Sequence, residues 1–151
     1  MYTILVLEDD VELNQTITYA LKKEGYHIFS AHSCKEAEKF TENESFHLTI
    51  LDVNLPDGDG FRFCKWLKEK KQVPVLFVSA RDLEEDVLNG YELGADDYVT
   101  KPFNVKHLFM RCNNLVNSRK LLQQKYAKQM DNNVDILATN SADYQFMEQC
   151  V

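Results

Sequence analysis

Short apolar runs alternate with segments of helical periodicity along residues 1–128, and this alternation constrains the fold more than any other feature of the sequence. The runs predict strands at Thr3–Leu7, His27–Ala31, Leu48–Val53, Val73–Val78 and Asp97–Thr100. The first, third and fourth runs are rich in Val, Ile and Leu, which is typical of strands buried on both faces of a parallel sheet. A helical segment follows each run, so we predict an α/β fold with a five-stranded parallel sheet between two layers of helices.

Capping residues mark several ends of the predicted helices. Asp9 or Asp10 can cap the first helix, and Gly25 ends it. Ser33 with Glu36 forms a capping box for the second helix. These signals support one regular βα unit after another, with no internal repeat.

Composition excludes several classes of protein. The chain has 151 residues, of which 44% are hydrophobic and 27% charged, as expected for one domain with a short appendage. No apolar run approaches the roughly 20 residues that span a bilayer, and the N-terminus lacks signal-peptide features, so we expect a cytoplasmic protein without membrane insertion. The four cysteines form no C-x-x-C pair. We therefore expect reduced thiols rather than a zinc site or disulfides.

Charge is unevenly distributed along the chain. Residues 1–100 hold 10 Lys/Arg and 20 Asp/Glu, whereas residues 101–128 hold seven Lys/Arg and no acid. An acidic body does not suit a nucleic-acid surface. We interpret the basic segment as a solvated helix face that leads into a linker.

Acidic side chains follow two of the predicted strands. Glu8 and Asp9 come directly after the first strand, and Asp52 lies at the end of the third. If these strands are neighbours, three carboxylates converge, and like charges that close require a cation. Oxygen ligands with room for water favour Mg²⁺. An acid after a strand can also simply cap a helix, but three such acids together favour a metal site.

A hydroxyl and an ammonium group follow two further strands. Ser79 comes after the fourth strand and Lys101 after the fifth. Beside Mg²⁺ and Lys101, Asp52 is an ionised nucleophile, and its phosphoryl group would be held by Mg²⁺, Lys101, the Ser79 hydroxyl and backbone N–H groups. The strand ends therefore predict a phosphoryl-transfer site.

Four segments of the sequence carry a family resemblance: L-E-D-D-V-E-L at 7–13, L-D-V-N-L-P-D-G-D-G-F at 51–61, V-S-A-R at 78–81 and G-A-D-D-Y-V-T-K-P-F at 94–103. Together they resemble the motifs of response-regulator receiver (CheY-like) domains of two-component signalling, over about residues 2–120. The resemblance implies a three-layer (βα)5 doubly wound, flavodoxin-like fold with strand order 2-1-3-4-5.

The resemblance also implies a role for each matching residue. Asp52 is the phosphoacceptor, and Mg²⁺ binds Asp9, Asp52, the backbone carbonyl of Asn54 and, through water, Glu8. Ser79 is the switch hydroxyl and Lys101 the active-site lysine. Tyr98 turns inward when Ser79 moves toward the phosphoryl group, and the Lys101–Pro102 peptide bond is cis.

Partners follow from the same resemblance. A sensor histidine kinase supplies the phosphoryl group. Asp97 and Arg111 match an ion pair that joins two receivers through the fourth helix, fifth strand and fifth helix, although Val87 and His107 depart from the usual charges of that face. We expect a homodimer through this face, and DNA binding only through another domain.

The expected organisation is a receiver domain over residues 1–122, a linker over 123–140 and the start of a further domain at 141–151. The last segment resembles the approach to an AraC-type helix-turn-helix domain, as found after receivers in some hybrid sensor proteins. We therefore expect phosphorylation to control a transcriptional output domain that lies outside this chain.

Two alternatives remain at this stage. One is a stand-alone receiver that carries phosphoryl groups in a phosphorelay. The other is a metal-dependent phosphohydrolase of the haloacid-dehalogenase type, which has a second acid two residues after the nucleophile; here that position is Asn54, which cannot serve as a general acid. We expect no enzyme activity beyond self-phosphorylation and self-dephosphorylation.

Overall fold

The computed structural model describes the backbone of residues 2–132 and the side chains of residues 2–118. Strands and helices alternate through this range, with one additional hairpin of two very short strands. In chain order the elements are β1 (Thr3–Leu7), α1 (Val11–Lys23), β2 (His27–Ala31), α2 (Cys34–Asn43), β3 (Leu48–Leu51), β4 (Asn54–Leu55), β5 (Gly58–Asp59), α3 (Gly60–Lys70), β6 (Val75–Ser79), α4 (Glu84–Glu92), β7 (Asp97–Thr100) and α5 (Val105–Asn132).

The central sheet has five parallel strands in the order β2-β1-β3-β6-β7. When the hairpin strands are left out of the count, this is the predicted order 2-1-3-4-5, so the fold prediction is confirmed. Leu7 of β1 pairs with Ala31 on one side and with Leu51 on the other. The carboxyl ends of β1, β2 and β3 therefore lie side by side at one edge of the sheet.

Side chains of each strand alternate between the two faces of the sheet, as the period of an extended chain requires. In β1, Leu5 and Leu7 pack against residues of α2 and α3, whereas Ile4 and Val6 pack against residues of α1 and α5. All four side chains are fully buried. The alternation produces two apolar cores, one on each face, and hence the three predicted layers.

The β4–β5 hairpin was not predicted. It pairs Asn54 with Asp59 and Leu55 with Gly58, and it begins just after β3, which ends at Leu51 rather than at Val53. Pro56 and the residues after it form a turn of the Pro-Asp-Gly kind, for which the chain has the right chemistry. The hairpin matters because it connects Asp52 to α3.

The last described helix, α5, ends at Asn132 and thus continues into the segment expected to be a linker. No Gly or Pro occurs from residue 103 to residue 132, and Leu, Gln, Lys and Ala are good helix formers. The chain divides into two compact units, Met1–Val116 and Asn117–Val151. The rest of the expected linker and the domain start at 141–151 lie outside the described residues. None of the helices in the described range has both the length and the apolar composition needed to cross a bilayer.

Candidate functional site

Three carboxylates meet at the carboxyl edge of the sheet. Glu8 and Asp9 follow β1, and Asp52 follows β3, the neighbouring strand. One oxygen from each of the three lies within 4.8 Å of the others. Glu8 and Asp52 are buried, and Asp9 is exposed. The sheet register therefore brings together the three acids that the sequence placed at strand ends.

Lys101, which follows β7, forms ion pairs with two of these acids. Its Nζ lies 2.7 Å from Glu8 Oε1 and 3.1 Å from Asp52 Oδ2. Burial alone would lower the pKa of Lys101, but the bonds to Glu8 and Asp52 raise it, so the side chain stays charged. The Lys101 N–H donates to the Ser79 carbonyl, and the Lys101–Pro102 peptide bond is cis.

The pKa of Glu8 is raised from 4.5 to about 7. Burial is the main cause, because it disfavours the charged carboxylate; the hydrogen bond with Lys101 acts in the opposite direction, and Asp52 raises the pKa further. The positive charge of one ammonium group thus does not offset the negative charges of the three acids. A divalent cation would do so, and the donors are all oxygen atoms, which is the ligand set that Mg²⁺ prefers.

The Asp52 side chain is held at both of its oxygens. Oδ1 accepts a 2.7 Å hydrogen bond from the Val53 N–H, and Oδ2 accepts from Lys101. On the main chain, the first residue of α3 packs directly against Asp52: a Cβ on Gly60 would lie 1.9 Å from the Asp52 carbonyl oxygen. Only glycine fits there, so the start of α3 and Asp52 are fixed to each other.

The hairpin after Asp52 is tied to α2 by Asp57, which sequence analysis did not single out. Its carboxylate accepts hydrogen bonds from the N–H groups of Cys34 (2.8 Å) and Lys35 (3.0 Å), at the start of the helix. These bonds lower the pKa of Asp57, the one from Cys34 most strongly. The Pro-Asp-Gly sequence signals a turn but does not reveal that the aspartate caps a different helix. Asn54 lies at the start of this hairpin.

Ser79 and Tyr98 form the opposite end of the site. Ser79 is fully buried at the end of β6, and its Oγ accepts a 3.1 Å hydrogen bond from the Arg81 N–H. The Tyr98 hydroxyl donates to the Arg81 carbonyl at 2.7 Å, and its ring lies 5.7 Å from that of Phe77. The Tyr98 side chain is therefore in its inward position, and burial raises its pKa.

Asp97 and Arg111 form an ion pair within this chain, whereas the resemblance implied a pair that joins two receivers. Arg111 donates from one nitrogen to both Asp97 oxygens at 2.8 Å, and its Nε donates to His107 Nε2 at 3.1 Å. Exposed apolar side chains lie on the flanking helices, namely Leu88 and Tyr91 of α4 and Met110 of α5. This surface, formed by α4, β7 and α5, is called the α4–β7–α5 face below.

Known proteins resemble this chain in both sequence and fold. The family model described as "Response regulator receiver domain" matches residues 4–113. The chain is 43% identical to the transcriptional regulatory protein CssR of Bacillus subtilis (strain 168) over 126 residues, which are 83% of this chain and 53% of CssR. It is 37% identical to the aerobic respiration control protein ArcA of Escherichia coli (strain K12) over 113 residues, 75% of this chain and 48% of ArcA.

Among solved structures, the receiver domain of the Francisella response regulator 1452 superposes with a TM-score of 0.74 at 31% identity, covering 78% of this chain and 98% of that one. The chain spans about half the length of the curated relatives it matches. Because the family model covers most of the chain and the fold agrees with it, this chain belongs to the response-regulator receiver family of two-component signalling.

Proposed function

We propose that Asp52 is the phosphoacceptor of this receiver and that its phosphorylation requires Mg²⁺. The observation that carries this proposal is the buried Asp52 carboxylate, with Lys101 at one oxygen and the acids Glu8 and Asp9 within 4.8 Å. No other arrangement in the described part of the chain joins an acidic nucleophile, a cation and two further acids in this way. The arrangement suits the transfer of a charged phosphoryl group.

In the proposed reaction, a carboxylate oxygen of Asp52 attacks the phosphorus of a phosphohistidine on a sensor kinase. The P–N bond breaks, the histidine leaves, and an acyl phosphate forms on Asp52. Lys101 neutralises part of the charge on the phosphoryl oxygens. Attack by water on the phosphorus later releases inorganic phosphate and restores the carboxylate, so the chain catalyses only changes of its own state.

Asp9, Asp52, the Asn54 carbonyl and, through water, Glu8 are the proposed ligands of Mg²⁺. When bound, the metal supplies positive charge that stabilises the transferring phosphoryl group. The residues themselves fit such an ion, because all the donors are oxygens and three carboxylates face one ammonium group.

The signal is proposed to pass through Ser79 and Tyr98. A phosphoryl group on Asp52 offers the Ser79 hydroxyl a new acceptor, and a movement of Ser79 toward it would lengthen the hydrogen bond that its Oγ accepts from the Arg81 N–H in this structure. Since Arg81 also binds the Tyr98 hydroxyl through its carbonyl, a movement of Ser79 changes the surroundings of the ring. Two packings that differ by a few kcal/mol make a switch.

Intact-mass analysis with acetyl phosphate and Mg²⁺ tests the phosphoacceptor. We expect one added phosphoryl group in the unmodified protein, none in Asp52→Asn and none in excess EDTA. Asp82→Asn, which changes an exposed aspartate between β6 and α4, is the matched control and should be labelled normally. Full labelling of Asp52→Asn would refute the assignment, and rapid turnover of the donor would favour the phosphohydrolase.

Thermal unfolding tests the metal site separately. Mg²⁺ at about 100 times its dissociation constant should stabilise the protein by about 2.7 kcal/mol relative to EDTA. Asp9→Asn should lose most of this gain, whereas Glu42→Gln, an exposed carboxyl on α2, should keep it. Equal stabilisation of both variants would exclude Asp9 as a ligand.

The partners of the whole protein are proposed from its relatives. We propose a sensor histidine kinase as donor and, because CssR is named a transcriptional regulator and is longer, an output domain that acts on transcription in the cytoplasm.

We also propose a homodimer through the α4–β7–α5 face, joined in part by Asp97 and Arg111. Light scattering with beryllofluoride should show dimers that Arg111→Ala weakens and that the exposed-site control Lys106→Ala does not; equal weakening would argue against this face.

A further inference from the structure

Gly90 lies in the interior of α4, where glycine is a poor helix former. The described glycines with positive φ are Gly25 and Gly94, so Gly90 does not need the conformational freedom of glycine. Gly90 is also buried. We therefore expect a steric reason for glycine at this position, namely that the neighbouring residues leave no room for a side chain.

The space beside Gly90 is occupied by the edge of the Tyr98 ring. A Cβ at position 90 would lie 3.1 Å from Cδ2 and 3.2 Å from Cε2 of Tyr98, closer than ordinary van der Waals contact, and 3.5 Å from Cε1 of Phe61. The ring has little room to yield. Its hydroxyl is held by the Arg81 carbonyl, and the Phe77 ring lies 5.7 Å away.

We propose that Gly90 is a positioning residue that admits the Tyr98 ring to its buried place and so sets the balance between buried and outward rings. The proposal rests on the proposed function, in which that balance carries the signal of Asp52. A methyl group at position 90 opposes the buried ring but not an outward one. Because the two states differ by only a few kcal/mol, crowding by a few tenths of an ångström is enough to change their populations.

The coupling between the Tyr98 ring and Asp52 is reciprocal, so the position of the ring also affects the phosphorylation of Asp52. If phosphorylation favours the buried ring, then a side chain that disfavours the buried ring must by the same factor disfavour the phosphorylated state. The atoms nearest to a Cβ at position 90 belong to the Tyr98 ring, and the Phe61 contact at 3.5 Å is an ordinary van der Waals distance, so the effect on Asp52 is proposed to pass mainly through Tyr98.

Fluorine NMR of protein labelled with 3-fluorotyrosine tests the proposal, with the Tyr98 resonance assigned by its loss in Tyr98→Phe. In Gly90→Ala we expect this resonance to move toward the solvent-exposed position, with or without acetyl phosphate. Asn89→Ala, an exposed neighbour on the same helix, is the control and should leave the resonance in place. An unmoved Tyr98 resonance in Gly90→Ala overturns the proposal.

Urea unfolding supplies a second readout. In a Tyr98→Ala background, Gly90→Ala should increase the folding equilibrium constant about fivefold, which is the gain expected from helix propensity alone. With Tyr98 present, most of that gain should disappear. An equal gain in both backgrounds overturns the proposal.

The two proposals fail in distinguishable ways. Absence of Asp52 labelling in the unmodified protein defeats the proposed function. Normal labelling together with an unmoved Tyr98 resonance in Gly90→Ala defeats only the inference about Gly90.

Discussion

The acidic end of the site and its switch end are held by different numbers of contacts. Asp52 and the acids after β1 extend from the centre of the sheet, where each strand has a partner on both sides. Tyr98 lies on β7, an edge strand, and beneath α4. The three carboxylates therefore follow strands that are paired on both sides, whereas the ring proposed to report phosphorylation lies on a strand that is paired on one side.

The helices at the two ends differ in the same sense. α1 has 13 residues, and its N-cap Asp10 accepts a side-chain hydrogen bond from the Leu13 N–H. α4 has nine residues, and its N-cap Leu83 makes no side-chain capping hydrogen bond and is 60% exposed. Segments with weaker local anchoring open at lower free energy. The comparison indicates that a conformational change should appear at α4 before it appears at α1.

Two glycines sharpen the contrast. At Gly60 a Cβ would meet the Asp52 carbonyl oxygen at 1.9 Å, and the backbone there cannot move without moving Asp52. At Gly90 a Cβ would meet a ring edge at 3.1 Å, and we propose an outward position as a second state of this ring. A glycine-to-alanine substitution should therefore destabilise the fold at position 60. At position 90 it should instead change the populations of the two proposed positions of the Tyr98 ring.

The largest expected effect is that of Gly60→Ala. We expect a loss of about 3 kcal/mol in the free energy of unfolding, because overpacking against backbone has no side-chain escape. Urea unfolding measures it, and Gly58→Ala is the control, since its Cβ would meet a side chain rather than backbone, namely Cys34, with Sγ at 3.2 Å and Cβ at 3.9 Å. Similar losses of unfolding free energy in Gly60→Ala and Gly58→Ala would contradict the claim that the close contact between position 60 and Asp52 admits only glycine.

A smaller effect should appear in the pH dependence of the metal-free protein. Glu8 has a pKa of about 7 in the folded protein against 4.5 ordinarily, so between these values the folded state binds more protons than the unfolded state. Stability in EDTA should therefore fall by roughly 2 kcal/mol as the pH rises from about 4.5 to 7. Glu8→Gln should flatten this fall and Glu42→Gln should not. A fall of the same size in Glu8→Gln would assign it to other groups.

The smallest effect concerns the contact between the hairpin and α2. The Asp57 carboxylate accepts hydrogen bonds from two N–H groups at the start of α2, and Asp57→Asn removes its negative charge. We therefore expect the free energy of unfolding to fall by about 1 kcal/mol. Urea unfolding measures the loss, with Asp82→Asn as the control. No loss would mean that the hairpin is held by its own pairing.

The placement of Glu8, Asp9 and Asp52 at strand ends follows from the periodicity of the sequence, whereas the sheet order that brings them together was implied by the resemblance to receiver domains. The β4–β5 hairpin follows from neither, since two-residue strands are too short to show a period. The contacts of Asp57 and Gly90 were also missed. Each joins two different elements, Asp57 to Cys34 at the start of α2 and Gly90 of α4 to Tyr98 of β7, and local patterns carry no information about such contacts.

Hydrogen exchange of the protein before and after labelling with acetyl phosphate and Mg²⁺ tests the central claim most directly. If phosphorylation of Asp52 acts on the weakly anchored end, then amide protection should change most in peptides spanning α4 and β7. Protection in α1 should change little. Equal changes in α1 and α4, or no change at α4 in fully phosphorylated protein, would contradict the account.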